Sequence, residues 1–286
     1  MFALTVVLAT GARAGEGAAT HFMQGTSGDF QMARWSPQGV YFRNDMLVFD
    51  GRVGVRPLGG RINAGVQQTV WVNVSKLVVL SGELGYGLRY GAVLAVPVIA
   101  HARASARSST ELPDLPSFVA GDINGLGDVL FSPASLNWSH LDHHLTLSTT
   151  VVIPVGGYDP DRLLNTGRNY WAFDQTLAYT WFNTKWGLEA NAMVGVMFNT
   201  RNQVTGYRSA PEFHLDWLIG KHLSDLLALA MAGYWAEQVA NDDGAVLGPI
   251  TLENFRGRGV GLGPAVQVNI PIRETVLALA GKALFD

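Results

Sequence analysis

The chain alternates apolar and polar residues over unusually long stretches. Residues 170–200 read YWAFDQTLAYTWFNTKWGLEANAMVGVMFNT. Odd positions give Trp171, Phe173, Gln175, Leu177, Tyr179 and Trp181. Even positions give Tyr170, Ala172, Asp174, Thr176, Ala178 and Thr180. After a polar break at Phe182–Lys185 the alternation resumes. Leu188, Ala190, Ala192, Val194, Val196 and Phe198 share one face; Glu189, Asn191, Met193, Gly195, Met197 and Asn199 share the other. Period two over runs this long predicts a β-hairpin with one apolar face and one small, polar face.

The pattern recurs along the chain. Val40, Phe42, Met46 and Val48 alternate with Tyr41, Arg43, Asp45 and Leu47. Val66, Val70, Val72 and Val74 alternate with Gln67, Thr69, Asn73 and Ser75. Similar runs follow near Tyr86–Val96, Leu145–Ile153, Phe213–Ile219, Leu227–Trp235, Val260–Ile270 and Glu274–Phe285. The reading predicts about eleven strands. Leu223–Ala240 is dense enough in apolar residues for a helix, but its neighbours argue for a strand.

Strand length selects the architecture. Trp171 and Trp181 lie on one face, ten residues apart, which is roughly 33 Å of strand. Tilted by about 40°, such a strand rises roughly 25 Å, the height of the apolar band of an outer-membrane barrel, with aromatic residues at both interfaces. The connections agree. Ser139–Asp142, Phe182–Lys185, His222–Asp225 and Pro271–Arg273 are short; Ala102–Asn124, Gly156–Gly167, Arg201–Ala210 and Ala240–Glu253 are long and rich in turn-forming residues. Short periplasmic turns alternating with long extracellular loops are the mark of a transmembrane barrel. The predicted fold is an all-β, antiparallel, up-and-down transmembrane barrel over residues 36–286.

Composition sharpens this picture. Only 15% of the 286 residues are charged, against about 25% in average globular proteins. A formal net charge of -3 leaves no basic footprint for nucleic acid. Cysteine is absent, which removes disulfides, thiolate metal sites and cysteine nucleophiles. The apolar run Phe2–Thr10, followed by Ala12-Arg13-Ala14, fits a signal peptide over residues 1–14, although no basic residue precedes the run. Residues 15–35 then read as a periplasmic N-terminal segment. Bacterial single-chain barrels use an even number of strands, so eleven imply a twelfth beyond Asp286 and an open seam between the first and last strands.

Candidate chemistry is sparse. His140, His143 and His144 cluster with Asp142, but no second ligand group has zinc-site spacing, and a polar turn explains them. No G-x-S-x-G nucleophile elbow occurs, so the reading is of a protein that is not an enzyme and carries neither metal nor cofactor. The inward, polar faces are better candidates. Arg43, Asp45, Asp174, Glu189, His214 and Asp216 would face the lumen, where charge either lines a solute path or forms an ion-pair network that plugs it. Gln175 breaks the apolar face of its strand without an evident reason.

Several stretches resemble the outer-membrane family named for a meta-pathway of phenol degradation. They are GVYFRNDMLVFDG, GLGDVLFSPASLNW, IPVGGYDPDRLLNTGRNYWAFDQTLAYTW, EFHLDWLIGKHLS and RGVGLGPAV, in the family's order from about Ser36 onward. The resemblance implies a closed barrel in the outer membrane of a Gram-negative bacterium, passively admitting small hydrophobic or aromatic compounds. Its partners would be outer-membrane lipid, the solute and the outer-membrane assembly machinery. A structural or adhesion barrel without transport, or an outer-membrane hydrolase, are the alternatives. Members of the family usually carry one more strand ending in an aromatic residue, where this sequence stops at Phe285-Asp286.

Overall fold

Long alternation becomes long strands. A computed structural model describes residues 2–9, 21–55, 64–108, 118–160, 162, 164–243, 245–247, 250–252, 256–273 and 275–285. In chain order the strands are β1 (Phe2–Ala9), β2 (Gly39–Val55), β3 (Ala64–Gly85), β4 (Leu88–Ser108), β5 (Phe118–Leu126), β6 (Val129–His140), β7 (His143–Ile153) and β8 (Ala172–Asn183). They continue as β9 (Leu188–Asn199), β10 (Glu212–His222), β11 (Leu227–Gln238), β12 (Ala245–Leu247), β13 (Ile250–Leu252), β14 (Arg258–Ile272) and β15 (Thr275–Leu284). Among the described residues there is no helix, so Leu227–Gln238 is the strand its neighbours implied.

Twelve strands close a ring: β3-β2-β1-β15-β14-β11-β10-β9-β8-β7-β6-β4, with β4 pairing back to β3. Closure leaves no unpaired sheet edge in the wall, the condition a spanning sheet must meet in lipid. β5 lies outside the ring, paired with β4 above the reach of β6, and β12–β13 is a separate small hairpin. The eleven strands expected are all present as antiparallel neighbours. Two expectations change. Strands β4 and β5 run to Ser108 and from Phe118, well into the stretch Ala102–Asn124 read as loop.

The seam is also not open. Residues 2–9, read as the apolar core of a signal peptide, form β1 between β2 and β15, parallel to both. Leu4, Val6 and Leu8 point outward while Thr5 and Val7 are buried inward, so this run carries the two-residue period of the wall. Parallel pairing follows from direction. β2 and β15 ascend in the same sense, and a strand between them is parallel to both or antiparallel to both.

The short turns sit at one end and the long connections at the other. At the β3–β4 turn Gly87 has φ 76°, and a Cβ there would lie 2.2 Å from the carbonyl oxygen of Ser139. Glycine therefore lets the turn seat against the neighbouring hairpin, where Ser139 N–H donates to Gly87 O at 3.0 Å.

Face assignment follows the alternation for most strands. Leu177, Val194, Phe198 and Ile219 are exposed on the outside; Asp174, Glu189, His214 and Asp216 are buried inside. Strand β3 is the exception. Val72, Val74 and Gln68 are buried on its inner face, while Asn73 and Ser75 lie on the outer face with exposed Trp71 and Val79. The outward amides satisfy each other: Asn44 Nδ2 donates to Asn73 Oδ1 at 2.9 Å, and Asn73 Nδ2 donates back to Asn44 Oδ1 at 2.8 Å. A paired amide is tolerable in lipid where an unpaired one is not.

Candidate functional site

The lumen is occupied by the chain itself. Residues 15–35 were expected in the periplasm; positions 15–20 lie outside the described residues, and 21–38 run down the barrel interior from the long-loop end to the short-turn end. At the top, His21 Nε2 meets Asp128 Oδ2 at 2.9 Å. The same Asp128 carboxylate accepts the backbone N–H groups of Gly156 and Arg168 at 2.9 and 2.7 Å, tying the segment to a long loop. At the bottom, Arg89 Nη1 donates to Ser36 O at 2.8 Å.

Between these ends the wall holds the segment by its backbone. Asp216 accepts N–H of Gly25 and Ser27 at 3.0 and 3.3 Å. Glu189 accepts Gln31 N–H at 2.9 Å, Asn191 accepts Met32 N–H at 3.3 Å, and Thr180 accepts Ala33 N–H at 2.9 Å. Asn137 Nδ2 donates to Ala33 O at 2.7 Å, and Lys282 Nζ to Gly28 O at 2.8 Å. A segment with no regular secondary structure has backbone groups to satisfy, and polar side chains on the inner faces supply the partners. This plug is therefore a ligand of the wall.

All six lumen candidates take part. Asp216 and Glu189 hold the plug backbone directly. His214 Nε2 lies 3.0 Å from Asp174 Oδ1, and the imidazole stacks on the ring of Phe22 from the plug at 3.8 Å and 21°. Arg43 binds Asp45 at 2.7 Å and Asp29 of the plug at 2.5 Å. The sequence reading missed Lys76 and Lys282, which complete this cluster: Lys76 Nζ is 2.6 Å from Asp45, and Lys282 Nζ is 2.9 Å from Asp29. Lys282 sits at an inward position of β15, the parity that could have found it; Lys76 shares the face of Val72 and Val74, which the alternation by itself would have pointed outward.

Apolar groups share the lumen with these polar ones. Leu47, Val72, Val74, Leu218, Tyr234 and Leu284 belong to one buried apolar side, and Met23 and Phe30 of the plug pack against it. A second, smaller cluster of Val152, Ala172, Met197 and Ala236 holds Phe22 of the plug. The inward turn of Val72 and Val74 contributes to the first.

The remaining candidates resolve locally. His143 Nδ1 pairs with Tyr179 Oη at 2.7 Å, and His144 Nδ1 with Ser139 Oγ at 2.8 Å. Asn183 Nδ2 donates to Asp142 Oδ2 at 2.7 Å, and His140 stacks on Trp138. Among the described residues no group of three His, Cys, Asp or Glu side chains could hold a metal ion. The outward Gln175 accepts a hydrogen bond from Thr149 Oγ1 at 2.8 Å, which accounts for a polar residue on that face.

Comparison with known proteins places this geometry. The family model described as "Putative MetA-pathway of phenol degradation" matches residues 49–284. No curated protein matches the chain by sequence. Among solved structures, the COG4313 outer membrane channel from Pseudomonas putida F1 is similar, at 18% identity and a TM-score of 0.56, over 77% of this chain and 79% of that one. A FadL homologue from Pseudomonas aeruginosa overlaps more loosely, at 12% identity and a TM-score of 0.36, over 78% of this chain and 66% of that one.

Proposed function

The chain belongs to the MetA-pathway phenol-degradation family, and on that premise we propose that it is an outer-membrane channel for small hydrophobic or aromatic compounds. Its long loops face the exterior and its short turns the periplasm. Solute diffuses passively through the lumen once the plug shifts, and no catalytic residue enters the reading. The outer-membrane assembly machinery and the surrounding lipid are its partners. Arg43, Asp45, Asp174, Glu189, His214 and Asp216 line the path; Arg43, Glu189, His214 and Asp216 meet the plug, while Asp45 and Asp174 hold Arg43 and His214.

One observation carries this reading: the inner wall has a buried apolar side, and the groups filling it are Met23 and Phe30 of a segment that is not part of the wall. A lumen that only needed to be wet would have no use for it. The plug is attached by the Asp29 ion pairs and by separate hydrogen bonds to its backbone, worth about 0.5–1.5 kcal/mol net for neutral partners and about 1.5–3 kcal/mol for charged ones, so segments of it can be released one at a time.

The test is uptake by intact cells. Cells making the full chain should accumulate radiolabelled naphthalene faster than cells without it. A variant combining Asp216→Leu with Thr180→Val, which strips acceptors from the plug, should raise the rate further. The packed plug favours one other reading, a barrel whose role is structural. Unchanged uptake in both the natural chain and the loosened variant would support that reading and remove the channel.

A further inference from the structure

Asp29 and Phe30 are adjacent in the plug, and the wall treats them as two halves of one ligand. The Asp29 carboxylate is gripped by Arg43 and Lys282, while the Phe30 ring packs against the apolar side of the lumen. The two halves lie side by side along the plug. On the short-turn side of the Arg43–Lys282 cluster, the Phe30 ring meets His222 edge-on with ring centroids 6.2 Å apart, and it packs against the buried apolar cluster that includes Leu218.

The charges point the same way. Arg43, Lys76 and Lys282 have one wall carboxylate within ion-pair distance, Asp45, which Arg43 and Lys76 share. Asp29 from the plug is the second anion, shared by Arg43 and Lys282. If the plug withdraws, the wall keeps an excess positive charge in a low-dielectric space, where an unmatched charge is costly.

We infer that this level of the lumen is a binding site for aromatic carboxylates, and that Asp29-Phe30 is its built-in occupant. The inference rests on the channel reading and narrows its solute class from hydrophobic compounds at large to apolar anions. An entering aromatic carboxylate replaces the Asp29 carboxylate on Arg43 and Lys282 and the Phe30 ring on the apolar side. It thereby displaces the plug by exchange of like for like, without leaving the cations unpaired.

The test uses the full chain in detergent micelles, titrated calorimetrically with benzoate and, in parallel, with benzyl alcohol, which has the ring without the charge. Asp29→Asn removes the internal competitor and should tighten benzoate by about tenfold or more while leaving benzyl alcohol nearly unchanged. Adding Lys282→Gln to that variant should return benzoate to the original weak binding; should that chain not assemble, Lys76→Gln in the same background serves instead. Equal tightening of both ligands on Asp29→Asn, or no tightening of benzoate, overturns the inference. Planar-bilayer recordings separate it from the reading beneath it. Benzoate binding without benzoate current keeps the site and removes the channel. Current with no preference for benzoate over chloride keeps the channel and removes the site.

Discussion

His214 on β10 reaches across β9 to Asp174 on β8, and it does so over Gly195. The imidazole Nε2 and the carboxylate Oδ1 are 3.0 Å apart although their strands are not neighbours. A Cβ on Gly195 would stand 2.2 Å from the histidine Cε1. The missing side chain is what lets the ring lie flat against the intervening strand.

Gly195→Ala should therefore expel the ring and break the pair, costing about 1–3 kcal/mol from overpacking and a lost charged hydrogen bond. Urea unfolding of the refolded barrel measures this. The cost should shrink in a His214→Ala background, because the clash disappears with the ring. Full additivity of the two substitutions would show that Gly195 does not act through His214.

Leu177 is 45% exposed on the outer wall, one strand face away from buried Asp174. Leu177→Arg should lower stability by about 2–4 kcal/mol if it sits near mid-membrane, the cost of a cation on a lipid face. Folding yield into vesicles should fall accordingly. Yields equal to those of an Ala substitution at Leu177 would contradict the assignment of faces.

Thr149 and Gln175 form an outward polar pair at 2.8 Å. Thr149→Val alone strands the Gln175 amide beside lipid and should destabilise by about 1–3 kcal/mol. Thr149→Val with Gln175→Leu should be neutral or stabilising, since both partners leave together. A double variant weaker than the single one would mean that the pair serves something other than itself.

Asp242 lies in the connection after β11. Burial pushes its carboxyl above the ordinary carboxylate value, even though Tyr207, Ala210 and Gln238 all donate to it. A carboxyl raised on folding stabilises most while the pH is below its unfolded value, about 4. That contribution is lost as the pH climbs through the raised value. Relative to Asp242→Asn, which stays neutral, the natural chain should lose stability with rising pH across this window. Thermal unfolding of both proteins from pH 4 upward reads the trend; a constant difference would leave Asp242 without a role in it.

Much of the wall was legible before any coordinates. Alternation is a local property: successive side chains on a strand point to opposite faces, and lipid on one side makes apolar residues the outward choice. Parity alone placed Asp174, Glu189, His214 and Asp216 inside, along with Arg43 and Asp45. The same rule failed at β3, where Val72 and Val74 turn inward. An apolar face was visible there, but which way it pointed depended on what lay opposite, namely Leu47, Leu218 and Phe30.

The tertiary structure alone decided what fills the barrel. Nothing periodic marks HFMQGTSGDFQMARW, residues 21–35, as a plug. Most of its partners lie far along the chain, and those from Asn137 to Lys282 bind its backbone, whose donors and acceptors are the same in every sequence. The insertion of Phe2–Ala9 between β2 and β15 is of the same kind. Its period fits the wall, but a sheet edge accepts any strand of suitable length, and only closure of the ring determined which one it received.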